Sequence, residues 1–178
     1  YCIREMDPLS RIIEYRERDK WGTVLEQTDY RGNSFSVVTD VWGNGIAFSS
    51  PNGAIRYINC SWGGNGLYTV TRQSNDAPTV VSHYDALGRE ILHSESRFDG
   101  TELKQSVSYD RFGRKVYEST LFKGVSTSFF SRNIFDRYGR LVETITPAGK
   151  STTWEYNGAS VTKREGGLFL RTITDASG

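Results

Sequence analysis

His83 and His93 are the only histidines of the chain, and Ser82, His83 and Asp85 together have the composition of a serine-histidine-aspartate set for nucleophilic catalysis. Adjacent residues of a strand point to opposite faces, so Ser82 and His83 do not converge there, and ordinary strand packing is expected of both histidines. Zinc is expected no more than catalysis: Cys2, Cys60, His83 and His93 have no paired short spacing. The two cysteines are compatible with one bridge or with two free thiols. Gly43-Asn44-Gly45 and Gly63-Gly64-Asn65-Gly66 are glycine-rich, yet neither is followed by the Lys-Ser/Thr and helix that phosphate cradling requires, so both are expected to be loops or bulges. Asn59-Cys60-Ser61 has the glycosylation pattern, which matters only in a secreted eukaryotic protein. No catalytic residue, metal or cofactor is expected, and the chain is not expected to be an enzyme.

Arginines and lysines interleaved with rings are the best argument for a ligand surface: Arg111, Phe112, Arg114, Lys115, Tyr117, then Arg132, Phe135, Arg137, Tyr138, Arg140. Stacked, such arginines would form a ladder for anionic polymer or sugar. The plainer expectation is that each pairs with a nearby carboxylate, since 22 Lys and Arg balance 21 Asp and Glu. The resulting charge of +1 gives no field that favours nucleic acid or anionic membrane.

What positions these residues is a repeat. Tyr84-Asp85-Ala86-Leu87-Gly88-Arg89, Tyr109-Asp110-Arg111-Phe112-Gly113-Arg114 and Phe135-Asp136-Arg137-Tyr138-Gly139-Arg140 begin 25 and 26 residues apart. Weaker copies fall at Arg18-Asp19-Lys20-Trp21-Gly22, Thr39-Asp40-Val41-Trp42-Gly43 and Cys60-Ser61-Trp62-Gly63-Gly64, with a further start near 156. Three residues after each glycine stands an apolar residue: Leu25, Ile46, Leu67, Ile91, Val116 and Val142. Each copy has the chemistry of a hairpin turn, in which the aspartate bonds backbone two residues on and the glycine supplies a positive φ. The aspartates recur as turn caps, and the aromatic and apolar residues around each turn are expected to pack on the neighbouring copy.

Composition agrees. Aromatics make up 13%, there are 18 glycines and one methionine, and no stretch keeps a capped 3.6-residue period, which suits many short strands and tight turns. No run approaches the roughly 18 apolar residues of a membrane helix, and no basic stretch followed by an apolar one marks a signal peptide in this sequence. Residues 1–178 read as a single repeat segment whose last residues, Asp175–Gly178, fall inside a repeat.

These copies resemble the RHS/YD repeat family, whose signature is Tyr-Asp-x-x-Gly-Arg every twenty-odd residues. The copies at Tyr84 and Tyr109 match it fully, that at Phe135 departs by Phe for Tyr, and those at 18, 39 and 60 lack both the Tyr and the Arg after Gly. The resemblance implies an all-β fold of stacked hairpins, a curved open strip forming part of a larger hollow shell. It is similar to the cocoons of bacterial insecticidal toxin complexes, polymorphic toxins, type VI effectors and teneurins. It further implies a non-catalytic encapsulating role, with other repeat segments and an enclosed toxin domain as partners. It also implies synthesis in a bacterial cytoplasm followed by secretion or surface delivery. The family's self-cleavage motif has no counterpart, since the one Asp-Pro, Asp7-Pro8, lies in a repeat turn. About 15 strands make a strip roughly 70 Å wide, a ring only about 23 Å across if closed. A 100-residue cargo is some 30 Å across, so the chain is expected to be a segment of a larger wall. The alternative is an extracellular glycan- or protein-binding repeat module that uses its exposed aromatics and arginines.

Overall fold

The computed structural model describes residues 2–174; the closing Asp175–Gly178 lies outside them. The chain divides into two compact units, Tyr1–Arg89 with Glu95–Gly100 and Glu90–Ser94 with Thr101–Gly178. The first unit holds β1 (Arg4–Met6), β2 (Ile12–Arg18), β3 (Val24–Thr28), β4 (Ser34–Thr39), β5 (Gly45–Ser49), β6 (Ile55–Trp62), β7 (Tyr68–Ser74) and β8 (Val80–Tyr84). Strand β9 (Glu90–Ser96) divides between the units. The second holds β10 (Glu102–Tyr109), β11 (Lys115–Ser119), β12 (Phe130–Phe135), β13 (Leu141–Ile145), β14 (Ser151–Asn157), β15 (Ser160–Glu165) and β16 (Leu168–Ile173). The fold is all-β. Among the described residues there is no α-helix, hence none that could cross a membrane.

In each unit the sheet order is the chain order, so every strand lies between its sequence neighbours, and the ladders are antiparallel. Local sequence explains this. Segments such as Tyr68-Thr69-Val70-Thr71 and Leu141-Val142-Glu143-Thr144-Ile145 are rich in β-branched and aromatic residues, and short turns return the chain beside itself. Each unit is an open strip: among the described residues β1 pairs only with β2, and β16 only with β15.

A one-layer strip has nothing to bury its faces against. Ala54 is the single buried apolar residue among those described, and the others buried are Thr28, Ser82, Ser94, Ser119 and Ser160. Small hydroxyl side chains fit the narrow space over a pleated strand, and some pair across strands, as Ser36 with Ser49 at 2.6 Å. Two compact globules of half this chain each would together expose about 10,500 Å²; the chain exposes 12717 Å². The strip therefore carries uncovered apolar surface, most densely on β16, where Leu168, Phe169, Leu170 and Ile173 are each more than three-fifths exposed.

Candidate functional site

Five of the six copies place their residues in one geometry. At Asp19, Asp40, Asp85, Asp110 and Asp136 the aspartate N–H donates to the carbonyl four residues on. The glycine N–H donates back to the aspartate carbonyl, all at 2.9–3.1 Å. The side-chain Oδ1 accepts two further backbone N–H groups, from residues two and four ahead, at 2.8–3.0 Å. Gly22, Gly43, Gly88, Gly113 and Gly139 close the loop at φ between 76° and 87°, where a Cβ would be strained. A bulge follows, so that Tyr109 pairs with Lys115 and Phe135 with Leu141.

The second carboxylate oxygen separates the copies. Arg89, Arg114 and Arg140 each bring Nε and Nη2 to Oδ2 of Asp85, Asp110 and Asp136 at 2.6–2.8 Å. At Asp40 the amide of Asn44 takes that place at 3.1 Å. At Asp19 the fourth residue on is Thr23, and Asp19 Oδ2 is buried without a partner. All five carboxyls are held below their ordinary value. At Asp85 and Asp40 the side-chain hydrogen bond from Arg89 or Asn44 is the main cause. At Asp110, Asp136 and Asp19 lost hydration is the largest single influence and pushes upward. There the turn N–H groups outweigh it, joined by the side chain of Arg114, Arg140 or Thr23 respectively.

The third copy requires a correction. Gly64 does not hold the turn position; Gly66 does, with φ 74°, and the bond from Gly63 N–H to Leu67 O takes the place of the aspartate's. Strand β6 runs on to Trp62, so Cys60 and Ser61 are ladder residues and the copy reads Trp62-Gly63-Gly64-Asn65-Gly66-Leu67, two residues later than spacing alone suggests. Trp62 then stands where the last three copies have Tyr84, Tyr109 and Phe135. Its ring lies 5.0 Å from that of Tyr68, which stacks on Tyr84 at 4.7 Å.

The motif ring and arginine link one turn to the next. In the second unit, Arg114 lies 4.6 Å from the ring of Phe135, and Arg140 lies 4.4 Å from that of Tyr156. The tyrosines bond backward: Tyr109 Oη donates to Glu90 O at 3.0 Å and Tyr156 Oη to Leu141 O at 2.8 Å, in each case the carbonyl just after a motif arginine. Phe135 has no hydroxyl, and the equivalent carbonyl, Lys115 O, is taken at 3.1 Å by Asn133 Nδ2, whose Oδ1 accepts from Thr144. In the first unit Trp21 covers the next turn, where a Cβ on Gly43 would come within 3.2 Å of its Cδ1.

Sequence reasoning missed Asn133, the hydroxyl of Tyr156 and the loop Asp29-Tyr30-Arg31-Gly32-Asn33. That loop has the same bonding, with Oδ1 and Oδ2 of Asp29 accepting from the N–H of Arg31 and from the N–H and side chain of Asn33. The Asp-x-x-Gly pattern was its signal, but it lies on a turn between two copies of the frame. The tips leave large apolar side chains exposed, the rings of Trp21, Trp42, Phe112 and Tyr138 and the aliphatic Leu87, with Arg111 and Arg137 each 4.6 Å from the ring beside them.

The other candidates are dispersed. Ser82 is buried, His83 bonds Thr69 at 3.0 Å, and the carboxylate of Asp85 is committed to its turn and Arg89. His93 faces Glu90 at 3.0 Å. Cys2 and Cys60 are free and exposed, and Asn59 is an exposed residue of β6. No group of three or more metal-ligating side chains occurs among the described residues.

The chain is similar to two solved toxin-complex structures. One is the crystal structure of TcdB2-TccC3-Cdc42, at 11% identity and a TM-score of 0.48, covering 97% of this chain and 12% of that one. The other is a Photorhabdus luminescens Tc holotoxin pore carrying a TccC3 variant, at 15% identity and 0.48, covering 92% and 11%. This chain thus spans about an eighth of the length of those it matches. No family profile matches it, and neither does any curated protein.

Proposed function

We propose that the chain is a non-catalytic structural module, one stretch of the wall of an RHS-type cocoon that encapsulates a toxin or other cargo for delivery from a bacterial cell. The observation that carries this reading is that each unit is a strip one sheet thick, with Ala54 the single buried apolar side chain among the described residues, and that, among those residues, the outer ladder edge is unpaired at β1 in one unit and at β16 in the other. Such a strip gains its missing burial and pairing from further repeats and from what it encloses. Its rim is built for continuation, since Arg114 and Arg140 reach beyond their own turns to the ring of the next, and Tyr109 and Tyr156 bond back to the carbonyl after an earlier motif arginine. The partners are other repeat segments and an enclosed domain; no membrane span, nucleic acid or cofactor takes part.

Electron microscopy of the product of the whole reading frame tests this. A hollow shell with this stretch in its wall and density within is the expected result, and a separate solid domain overturns it. The ring and guanidinium pairs at Phe112 and Tyr138 favour a second reading, an outward glycan- or protein-binding surface. Saturable binding on a glycan array, lost with Phe112→Ala and Tyr138→Ala, would decide for that reading.

A further inference from the structure

We propose that one face of β4 to β8 binds a small amphiphilic carboxylate, an apolar body with an anionic head. A trough of about 640 Å³ lies there, within the size range of small-molecule sites. Its floor is Phe35, Val37, Phe48, Ile58 and Val80. The register explains why they meet: Val37 opposes Phe48, Phe48 opposes Arg56, Ile58 opposes Arg72 and Arg72 opposes Val80, and directly opposed residues share a face. Gly45 sets the floor's depth, because the ring of Phe48 lies folded over it and a Cβ there would fall 2.6 Å from Phe48 Cζ.

Charge selects the occupant. Arg56 and Arg72 are the charged residues of the trough, no acidic side chain lines it, and neither guanidinium has an ion-pair or ring partner among the described residues. The motif arginines differ, since each is neutralised by its aspartate. The two stand on adjacent strands one diagonal apart, a spacing of roughly 7–8 Å at the backbone that lets both forks reach one carboxylate. An apolar floor with two uncompensated positive heads excludes a cationic amphiphile and suits an anionic one.

Decanoate titrated calorimetrically into the 178-residue chain tests the assignment, with decyltrimethylammonium as the charge-reversed control. The expected result is saturable one-to-one binding of decanoate alone, with methyl resonance shifts confined to Val37, Ile58 and Val80. Arg56→Gln with Arg72→Gln should weaken it at least about tenfold, and the double lysine variant should retain most of it. Gly45→Ala, which keeps both charges and displaces the Phe48 ring, should weaken it severalfold. Equal binding of the cation overturns the proposal, as do shifts centred on Leu168 and Leu170, or an unchanged affinity in the glutamine variant. Tighter binding of an acidic, leucine-rich peptide than of decanoate also overturns it and gives the trough to a polypeptide.

Discussion

The turns at Asp110 and Asp136 and those at Asp19 and Asp40 share one backbone and differ in reach. All four close with the same pair of main-chain bonds and the same two N–H groups on Oδ1. Only the first two send a guanidinium onward, from Asp110 to the ring of Phe135 and from Asp136 to that of Tyr156. Aspartate and glycine are therefore the requirements of a turn, whereas tyrosine and arginine are the requirements of a join between turns. A copy that has lost the second pair still folds its hairpin but must meet its neighbour by other means, as Trp21 does over Gly43.

Acid should break both classes together and produces the largest expected effect. Each of the five motif aspartates, Asp19, Asp40, Asp85, Asp110 and Asp136, is held below 3.8 in the fold. A depressed folded value means that this stabilisation is complete above the unfolded value and is lost as pH falls through the folded one. Thermal melts from pH 7 downward should show Tm nearly flat to about pH 4.5 and falling steeply below about 4. A Tm that rises over that lower range would remove the carboxylates from the account.

Substituting the turn glycines comes next and should treat the classes alike. Gly139→Val and Gly43→Val both force a β-branched residue to a φ above 80°, costing about 2 kcal/mol. Gly43→Val should be slightly worse, because Trp21 must also move. Urea unfolding measures both. If one were neutral, the shared backbone would not be what makes the classes alike.

The join can be tested where it is irregular. Asn133→Ala deprives Lys115 O of its donor and should cost about 1 kcal/mol. Phe135→Tyr supplies the hydroxyl found in the neighbouring copies and should recover about half of that in the double variant while changing little alone. An additive cycle would mean that the tyrosine hydroxyl and Asn133 are not alternatives.

The fold class was legible because turn chemistry is local: Asp-x-x-Gly with strand formers on both sides determines a hairpin within about ten residues, whatever surrounds it. Two features of the rim were not legible. The turn at Gly66 was obscured because Gly63, Gly64 and Gly66 all satisfy the pattern, and only the length of β6 decides among them. Asn133 was obscured because it substitutes for a hydroxyl missing two positions away, a compensation that exists only between strands. The Asp29 loop was overlooked for a different reason: a frame built on spacing ignores a turn that falls between its copies.

Removing the arginine arm should separate the classes by a smaller margin. Arg114→Gln gives up its fork on Asp110 and the Phe135 ring contact, the latter about 0.5–1 kcal/mol, whereas Asn44→Ala gives up one exposed amide bond and should cost less. Equal costs would mean that reach contributes nothing and the distinction is only one of sequence.

The smallest effect should come from improving the poorest turn. Asp19 has the two N–H bonds on Oδ1 and the Thr23 hydroxyl beside its carboxylate, but Oδ2 stays buried and unpartnered. Asn33 and Asn44, at the equivalent place in their loops, reach Oδ2 of Asp29 and Asp40 at 2.8 and 3.1 Å. Thr23→Asn should therefore supply the missing donor without disturbing the backbone and raise Tm slightly. A buried acceptor is costly mainly when unmet, so the gain should exceed that of the same exchange at an exposed strand position. It should also vanish in an Asp19→Ala background, where no acceptor remains. A gain that survives there would belong to the strand propensity of residue 23, and the second oxygen would then play no part in how these turns differ.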